Sequence, residues 1–538
     1  MYVPTLCNTT CRKKHILHFW YIYSKTTMIL EISLFFASLA VLYFYLMSHY
    51  NFWDKTCVPA LKPKYPFFGN TVDVLFSLKD VMTIQKDIYN AFPNQRFVGL
   101  FTFTRPNLFV RDPAMIEQIT IKDFPFASDR GISDDPRATP LSMHLINTRN
   151  DHWRSLRNKL TPTFTSGKLK GMHGQLLDCA DSLVEHMKTI ESAETFEARD
   201  LMACFTTDVI ASCAFGLNID TLTDRNSLFR AFGKATFNFS PTRKIFRTIR
   251  RLLGPLARFI SLPGGIKPKL IEFFIKAVDD TVEYRKKNGV VRQDFLHLMN
   301  ELVEKEREMV SNGQMDPNDP HMFDHATLVS NAFVFFVAGF ETTATTISYA
   351  LYELALNQQI QEDLHKEIVT VSAKHNGKLT FEAFQDMKYL DQVISETLRL
   401  YPPVPALTRK VTKDYRVPHT DVVLPAGSFM TLPIVALQLD PALFPDPLTF
   451  NPDRFSEEKG QTIVKGSYMP FGSGPRICIG ARFAKLEIQV ALAKIILKYN
   501  IMKCDKTQVP LTRCKASFMN VPDKGIWLKI KPRTTAAA

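Results

Sequence analysis

Cysteine is scarce in this chain and badly spaced for structural work. The nine residues, at 7, 11, 57, 179, 204, 213, 478, 504 and 514, include no C-x-x-C pair. That excludes a zinc ribbon and a disulfide framework, and it suits reduced thiols in a cytosol-facing domain. No G-x-G-x-x-G follows a strand pattern and no P-loop occurs, so neither a dinucleotide nor ATP is expected through those motifs. Internal repeats and Gly/Ser linkers are also missing. Acidic residues fall short of basic ones, 53 against 66, and the net charge of +13 asks for an anionic partner without naming it. What is present in quantity is apolar: 46% of 538 residues, with 42 Phe. A disordered or collagenous chain is therefore excluded.

The longest apolar run is Met28 to Met47, MILEISLFFASLAVLYFYLM, with Glu31 as its one charge. Twenty such residues are the length one helix needs to cross a bilayer, so 28–47 reads as a membrane anchor. Residues 1–27 form an extension with Arg12, Lys13, Lys14 and Lys25 and no acid, and Met28 sits where an anchor would begin. These basic residues compete with Lys55, Lys62 and Lys64 for the cytoplasmic side. The extension also holds a glycosylation sequon, Asn8-Thr9-Thr10. Pro59, Pro63 and Pro66 predict a stiff, non-helical connector over 48–70.

From 71 to 538 the pattern predicts one large, mainly helical domain. Helical stretches are expected near 110–120, 152–190, 200–215, 270–288, 324–356, 358–374 and 387–400, with extended pieces at 96–103 and 408–424. Charge singles out 225–269, where eleven basic residues meet no acid. Inside it Ile245, Phe246, Ile249, Leu252 and Leu253 recur at helical spacing. A basic amphipathic helix of this kind suits an anionic membrane surface, and no nucleic-acid motif accompanies it.

The most informative stretch is Phe471-Gly-Ser-Gly474-Pro-Arg476-Ile-Cys478-Ile-Gly480, followed by an apolar helical run. It places a lone cysteine in a glycine-rich loop ahead of a helix N-terminus, where backbone N–H groups and the helix dipole favour the metal-binding thiolate. Gly474 and Gly480 would let the backbone approach something flat and bulky. Arg476 offers a forked donor to a carboxylate. Thiolate, flat partner and carboxylates together describe haem held by cysteine.

The same residues resemble the F-x-x-G-x-R-x-C-x-G signature of the cytochrome P450 family, with every specified position matched. Four further elements are similar to family motifs, and all five stand in the family's order. They are Ala338-Gly339-Phe340-Glu341-Thr342-Thr343 in a long central helix, Glu396-Thr-Leu-Arg399, Asn451-Pro452-Asp453-Arg454-Phe455, and Trp153-Arg154-Ser155-Leu156-Arg157. The wording around 333–367 and the anchor resemble the insect microsomal enzymes of family 6.

The resemblance implies a mainly α fold with small β-sheets, the cytochrome P450 fold, behind an N-terminal transmembrane helix. It implies heme b with Cys478 as axial iron ligand and Phe471 in the binding signature, and Trp153, Arg157, Arg409 and Arg476 on the propionates. Gly339 would open a groove for dioxygen; Thr342 would hold a water or the bound dioxygen, and Glu341 would feed protons towards it. Glu396, Arg399 and Arg454 would brace the thiolate loop, and Gln438 would make no haem contact. Partners implied are NADPH-cytochrome P450 reductase, cytochrome b5, O2, a small lipophilic substrate and the endoplasmic reticulum membrane, with the catalytic domain in the cytosol. The activity implied is insertion of one oxygen atom into a C–H bond or alkene. A haem-thiolate isomerase or dehydratase, or a non-catalytic haem carrier, are the rivals; the Glu341-Thr342 pair argues for monooxygenation. Phe124, Phe126, Phe333, Phe335, Phe336 and Phe340 are candidates for an apolar pocket. His321 and His325, four apart with no third ligand, read as helix N-terminal residues.

Overall fold

A computed structural model describes residues 8–63, 65–132, 141–192, 195–225, 227–236, 246, 249 and 268–533. The chain divides into two compact units, Met1–Thr71 with Gly99–Pro106, and Val72–Val98 with Asn107–Ala538. Most of the basic segment singled out at 225–269 lies outside the described residues.

In the first unit, helix α1 (Asn8–Ser48) begins twenty residues before the expected anchor. A stretch of it is long and apolar enough to cross a membrane, and none of that window is buried. The connector differs from expectation: 49–55 turns twice more as His49–Asn51 and Phe52–Lys55, because the prolines come only afterwards. Tyr50 and Trp53 are buried there. Trp53 Nε1 donates to the Leu100 carbonyl at 2.8 Å, and the indole fills the space beside Gly99, where a Cβ would lie 2.4 Å from its ring. The Gly69 N–H donates to the Tyr50 hydroxyl at 3.0 Å. The connector is thus a small packed unit.

The second unit carries α2 (Asn150–Leu160), α3 (Ser166–Thr189), α4 (Ala198–Ile210), α5 (Leu228–Thr236), α6 (Pro268–Asn288), α7 (Phe295–Ser311), α8 (His325–Leu356), α9 (Gln358–Lys374), α10 (Lys388–Leu400) and α11 (Ala481–Lys498). Strands β1 (Phe97–Thr102) and β2 (Arg105–Val110) run across the division between units. Within the second unit, Asn107–Phe109 of β2 pair parallel with Phe429–Thr431 of β4 (Phe429–Leu432), whose other edge takes β3 (Leu407–Lys410) antiparallel. A second sheet joins β5 (Tyr499–Lys503), β6 (Trp527–Pro532) and the short piece Phe196–Glu197.

The run expected over 152–190 is two helices, because Pro162 cannot donate to a helical carbonyl and the chain tightens through Thr161–Phe164 before α3. Helix α7 was not anticipated. Its start is fixed by Asp294, whose carboxylate accepts from His297 N. Helix α8 starts likewise at Asp324, which accepts from Thr327 N at 2.8 Å. His325 is its first residue and meets Asp279 at 2.8 Å. Among the described residues no cluster of three metal-ligating side chains occurs.

The core gathers around α8. Phe333 and Phe336 meet the rings of Phe232 and Phe274, while Phe335 meets Phe164 and Phe295. Phe124 and Phe340 are buried too, and Phe126 lies exposed beside Tyr415. Five of the six candidate pocket phenylalanines are therefore core, the ordinary fate of helical Phe.

Candidate active site

Phe471 to Gly480 fold into a loop that closes on itself when Cys478 N donates to the Phe471 carbonyl at 2.9 Å. Gly474 has φ +71°, and a Cβ there would sit 1.9 Å from the Thr120 carbonyl. Its smallness therefore serves the fold, seating the loop on a π-helical turn at Gln118–Lys122, and not a flat partner as expected. Thr120 Oγ1 also bonds Ser473 Oγ at 3.1 Å. Gly480 differs: it is the N-cap of α11, and a Cβ there would meet only a ring atom of Phe164, 3.7 Å away.

Cys478 is exposed and unpaired. Crowding by surrounding protein atoms still desolvates the thiol and raises its pKa, while the Gly480 N–H and the charges of Arg130 and Arg157 pull it down. The helix start alone does not win; a metal's charge would complete the deprotonation.

Four guanidinium groups converge here. Arg476 donates from Nε to the Ser128 carbonyl (3.0 Å), from Nη1 to Leu145 (3.2 Å) and from Nη2 to Thr148 (2.8 Å), and lies over the Trp153 ring at 4.1 Å. Arg157 Nη1 donates to the Ile477 carbonyl at 2.9 Å, and Arg130 Nη2 to that of Arg476 at 3.2 Å. Arg409 is buried, donates from Nη1 to the Thr408 carbonyl at 3.2 Å and leaves Nε without a partner. Burial and mutual repulsion push Arg409 down to about 10 and Arg476 to about 9. Burial and the Arg130 charge push His144 to about 4, so it is neutral. The nearest acid is Asp129, 3.9 Å from Arg476 Nη2, and burial raises its own pKa. So much buried positive charge requires anions. Two carboxylates on a flat ring would supply them, so the residues present fit a haem.

The motif on α8 is arranged differently from expectation. Between Thr327 and Ala355 every residue is buried except Val337, Ala338, Gly339 and Thr342. These four form one window, and Thr342 is its polar side chain. Thr342 Oγ1 donates to the Ala338 carbonyl at 2.6 Å, so its lone pairs remain for accepting. Gly339 gives its space to a neighbour: a Cβ would lie 2.4 Å from Ile210 Cδ1, so the glycine lets α4 approach α8. The helix stays continuous through it. Glu341 is buried and ion-paired with Arg199 of α4, whose Nε donates to Oε1 at 3.0 Å. The segment Ser142–Thr148 links α8 to the guanidinium cluster: Leu145 N donates to Asn331 Oδ1 at 3.1 Å while the Leu145 carbonyl accepts from Arg476.

Behind the loop, Glu396 and Arg399 are fully buried and bonded twice, at 2.7 and 2.8 Å. Arg454 Nε reaches Glu396 at 3.3 Å. Arg399 Nη1 donates to the Gln438 and Pro447 carbonyls, both at 2.8 Å. Gln438 donates to the Leu398 and Arg399 carbonyls and accepts from Met469 N.

Arg130, His144 and Arg199 escape a reading of the sequence. Arg130 sits in a short turn before Gly131, with no periodicity to separate it from the other basic residues, and Arg199 becomes significant only when α4 meets α8.

A lone thiol at a helix start, beside four guanidinium groups that among the described residues share one carboxylate, Asp129, defines a haem-thiolate protein. The family model described as Cytochrome P450 matches residues 59–528. The chain is 37% identical over 492 residues to probable cytochrome P450 6a14 of Drosophila melanogaster, covering 90% of this chain and 95% of that one. It is 38% identical over 494 residues to cytochrome P450 6a2 of the same fly, covering 90% and 96%. To cytochrome P450 6k1 of Blattella germanica it is 35% identical over 494 residues, covering 90% and 93%. The chain belongs to the cytochrome P450 family and resembles insect family 6; in general terms it is a haem-thiolate monooxygenase.

Proposed function

We propose that this protein is a membrane-anchored monooxygenase that inserts one atom of O2 into lipophilic organic substrates, foreign compounds or endogenous lipids and hormones. Electrons come from NADPH through cytochrome P450 reductase, with cytochrome b5 as a second donor. It sits in the endoplasmic reticulum membrane with its catalytic unit in the cytosol, which suits the free Cys179, Cys204, Cys213, Cys478, Cys504 and Cys514 of that unit. The observation that carries this reading is the window in α8, whose lining is apolar except for Thr342.

Bound heme b supplies the dioxygen and redox chemistry. Cys478 would supply the thiolate to its iron. Arg130, Arg157, Arg409 and Arg476 would hold its carboxylates, and Trp153 steadies Arg476 by stacking. Thr342 Oγ1, its proton committed to Ala338, accepts a hydrogen bond and so fixes a water in the window. Glu341, buried outside the window and ion-paired with Arg199, ties α4 to α8 directly behind Thr342.

Thr342→Val is expected to leave haem binding unchanged and to lower the product formed per NADPH consumed by about 5–10-fold, the worth of one hydrogen bond of about 1–1.5 kcal/mol. Unchanged yield would remove Thr342 from the mechanism. The function is tested by reconstituting the protein with reductase in vesicles and supplying labelled dioxygen to an apolar probe. One labelled oxygen per product, dependent on NADPH, is expected. Turnover that persisted without reductase and NADPH would assign the isomerase or dehydratase class.

A further inference from the structure

The helix that carries the anchor is longer than the anchor. Asn8 to Ser48 form one continuous helix, which at 1.5 Å per residue is about twice the thickness of a hydrocarbon core. If Met28–Met47 fills that core, the preceding turns lie outside it. Those turns have the composition of a headgroup layer: Trp20, Tyr21 and Tyr23 are all exposed. Trp20 meets Tyr23 edge to face at 6.3 Å, and Lys25 Nζ lies over the Tyr21 ring at 5.8 Å. Aromatic residues with an apolar body and a polar tip, interleaved with lysine, are what an interface selects. Tyr43 and Tyr45, also exposed, mark the other end. Glu31 stands three residues in from Met28, about 5 Å deep, within snorkelling reach of the same interface.

Resting on the membrane reading above, we propose that Trp20–Lys25 is a collar in the headgroup layer on the face opposite the catalytic unit, and that it holds Asn8-Thr9-Thr10 clear of that face as an acceptor for an N-linked glycan. Twenty residues separate Asn8 from Met28, so along the helix the acceptor lies about 30 Å from the hydrocarbon edge. Headgroups occupy only about 5–8 Å of this. In the transfer, the Asn8 amide nitrogen bonds to the first sugar carbon of a lipid-linked oligosaccharide pyrophosphate. The sugar–phosphate bond breaks, the lipid pyrophosphate leaves, and the amide gives up one proton. No oxidant or reductant is needed. The opposing force is the charge of Arg12, Lys13, Lys14 and Lys25, which favours keeping this flank in the cytosol. The collar and the large cytosolic unit work against that tendency.

The test is translation of the full chain with microsomes. A mobility shift removed by peptide N-glycosidase and abolished by Asn8→Gln is expected, with the catalytic unit digested by protease added outside. Cys7 and Cys11 should react with an impermeant maleimide only after the membrane is opened. An unshifted chain overturns the glycan even if both cysteines are protected, and cysteines that react without opening overturn the collar's placement. Neither result touches the membrane reading. That reading fails separately if alkaline carbonate extracts the chain or the catalytic unit is protected from protease.

Discussion

Cys478→Ala is expected to abolish the red-shifted Soret band that the reduced, carbon-monoxide-treated protein gives. Among the described residues, no other cysteine stands in this loop. Cys179 and Cys213 belong to the hydrophobic core, and burial raises both thiols, Cys179 to about 12. Of the described cysteines, Cys478 stands with arginine charges and a backbone N–H lowering its pKa at a helix start. Haem content should be measured independently of the band, because the guanidinium cluster survives the substitution and can still attract the haem carboxylates. The expected result is residual haem with an ordinary Soret position, and a variant that kept the shifted band would overturn the site.

Glu396→Ala is expected to have the larger effect on the fold. Removing the carboxylate leaves Arg399, fully buried, with its charge uncompensated, and strips Arg454 and the Asn451 N–H of an acceptor. Breaking a buried pair in this way costs about 3–5 kcal/mol, against a total stability of about 5–15 kcal/mol. The expected outcome is a soluble yield of haem-loaded protein reduced several-fold and a thermal midpoint lowered by several degrees, read by the loss of the Soret band on heating. Arg399 also donates to the Gln438 carbonyl, and Gln438 holds Met469 N. The damage should therefore reach the start of the thiolate loop. A midpoint within a degree of the parent would show that the pair braces nothing.

What could be read from the sequence was whatever sits at fixed offsets along it. Phe471 to Gly480 forms a loop with the cysteine just ahead of a helix, and Glu396, Arg399 and Arg454 meet as expected, because short spacings on one element survive folding. The helix starts at Asp294 and Asp324 obey capping chemistry, yet only the second was anticipated, since α7 mixes its apolar face with many charges. Reasons for the glycines were less legible. Gly474 and Gly339 are small for the sake of Thr120 and Ile210, partners more than a hundred residues away in the chain. Glu341 and Thr342 were found by motif, but their partners Arg199 and Ala338 decide what each can do. Arg130, which acts across the fold, had no local pattern to reveal it.

The seat of Gly474 on the Thr120 carbonyl has a consequence in time. The thiolate loop is shaped by residues far upstream of it, Thr120, Ser128, Thr148 and Arg157 among them. During synthesis those groups leave the ribosome long before Cys478 does, and they wait as a half-built mould. Contacts of such wide sequence separation close late and slowly. Haem capture is therefore a terminal event in the life of the nascent chain, and a polypeptide cut short before Phe471 would keep Arg130, Arg157 and Arg409 yet lack the thiolate loop.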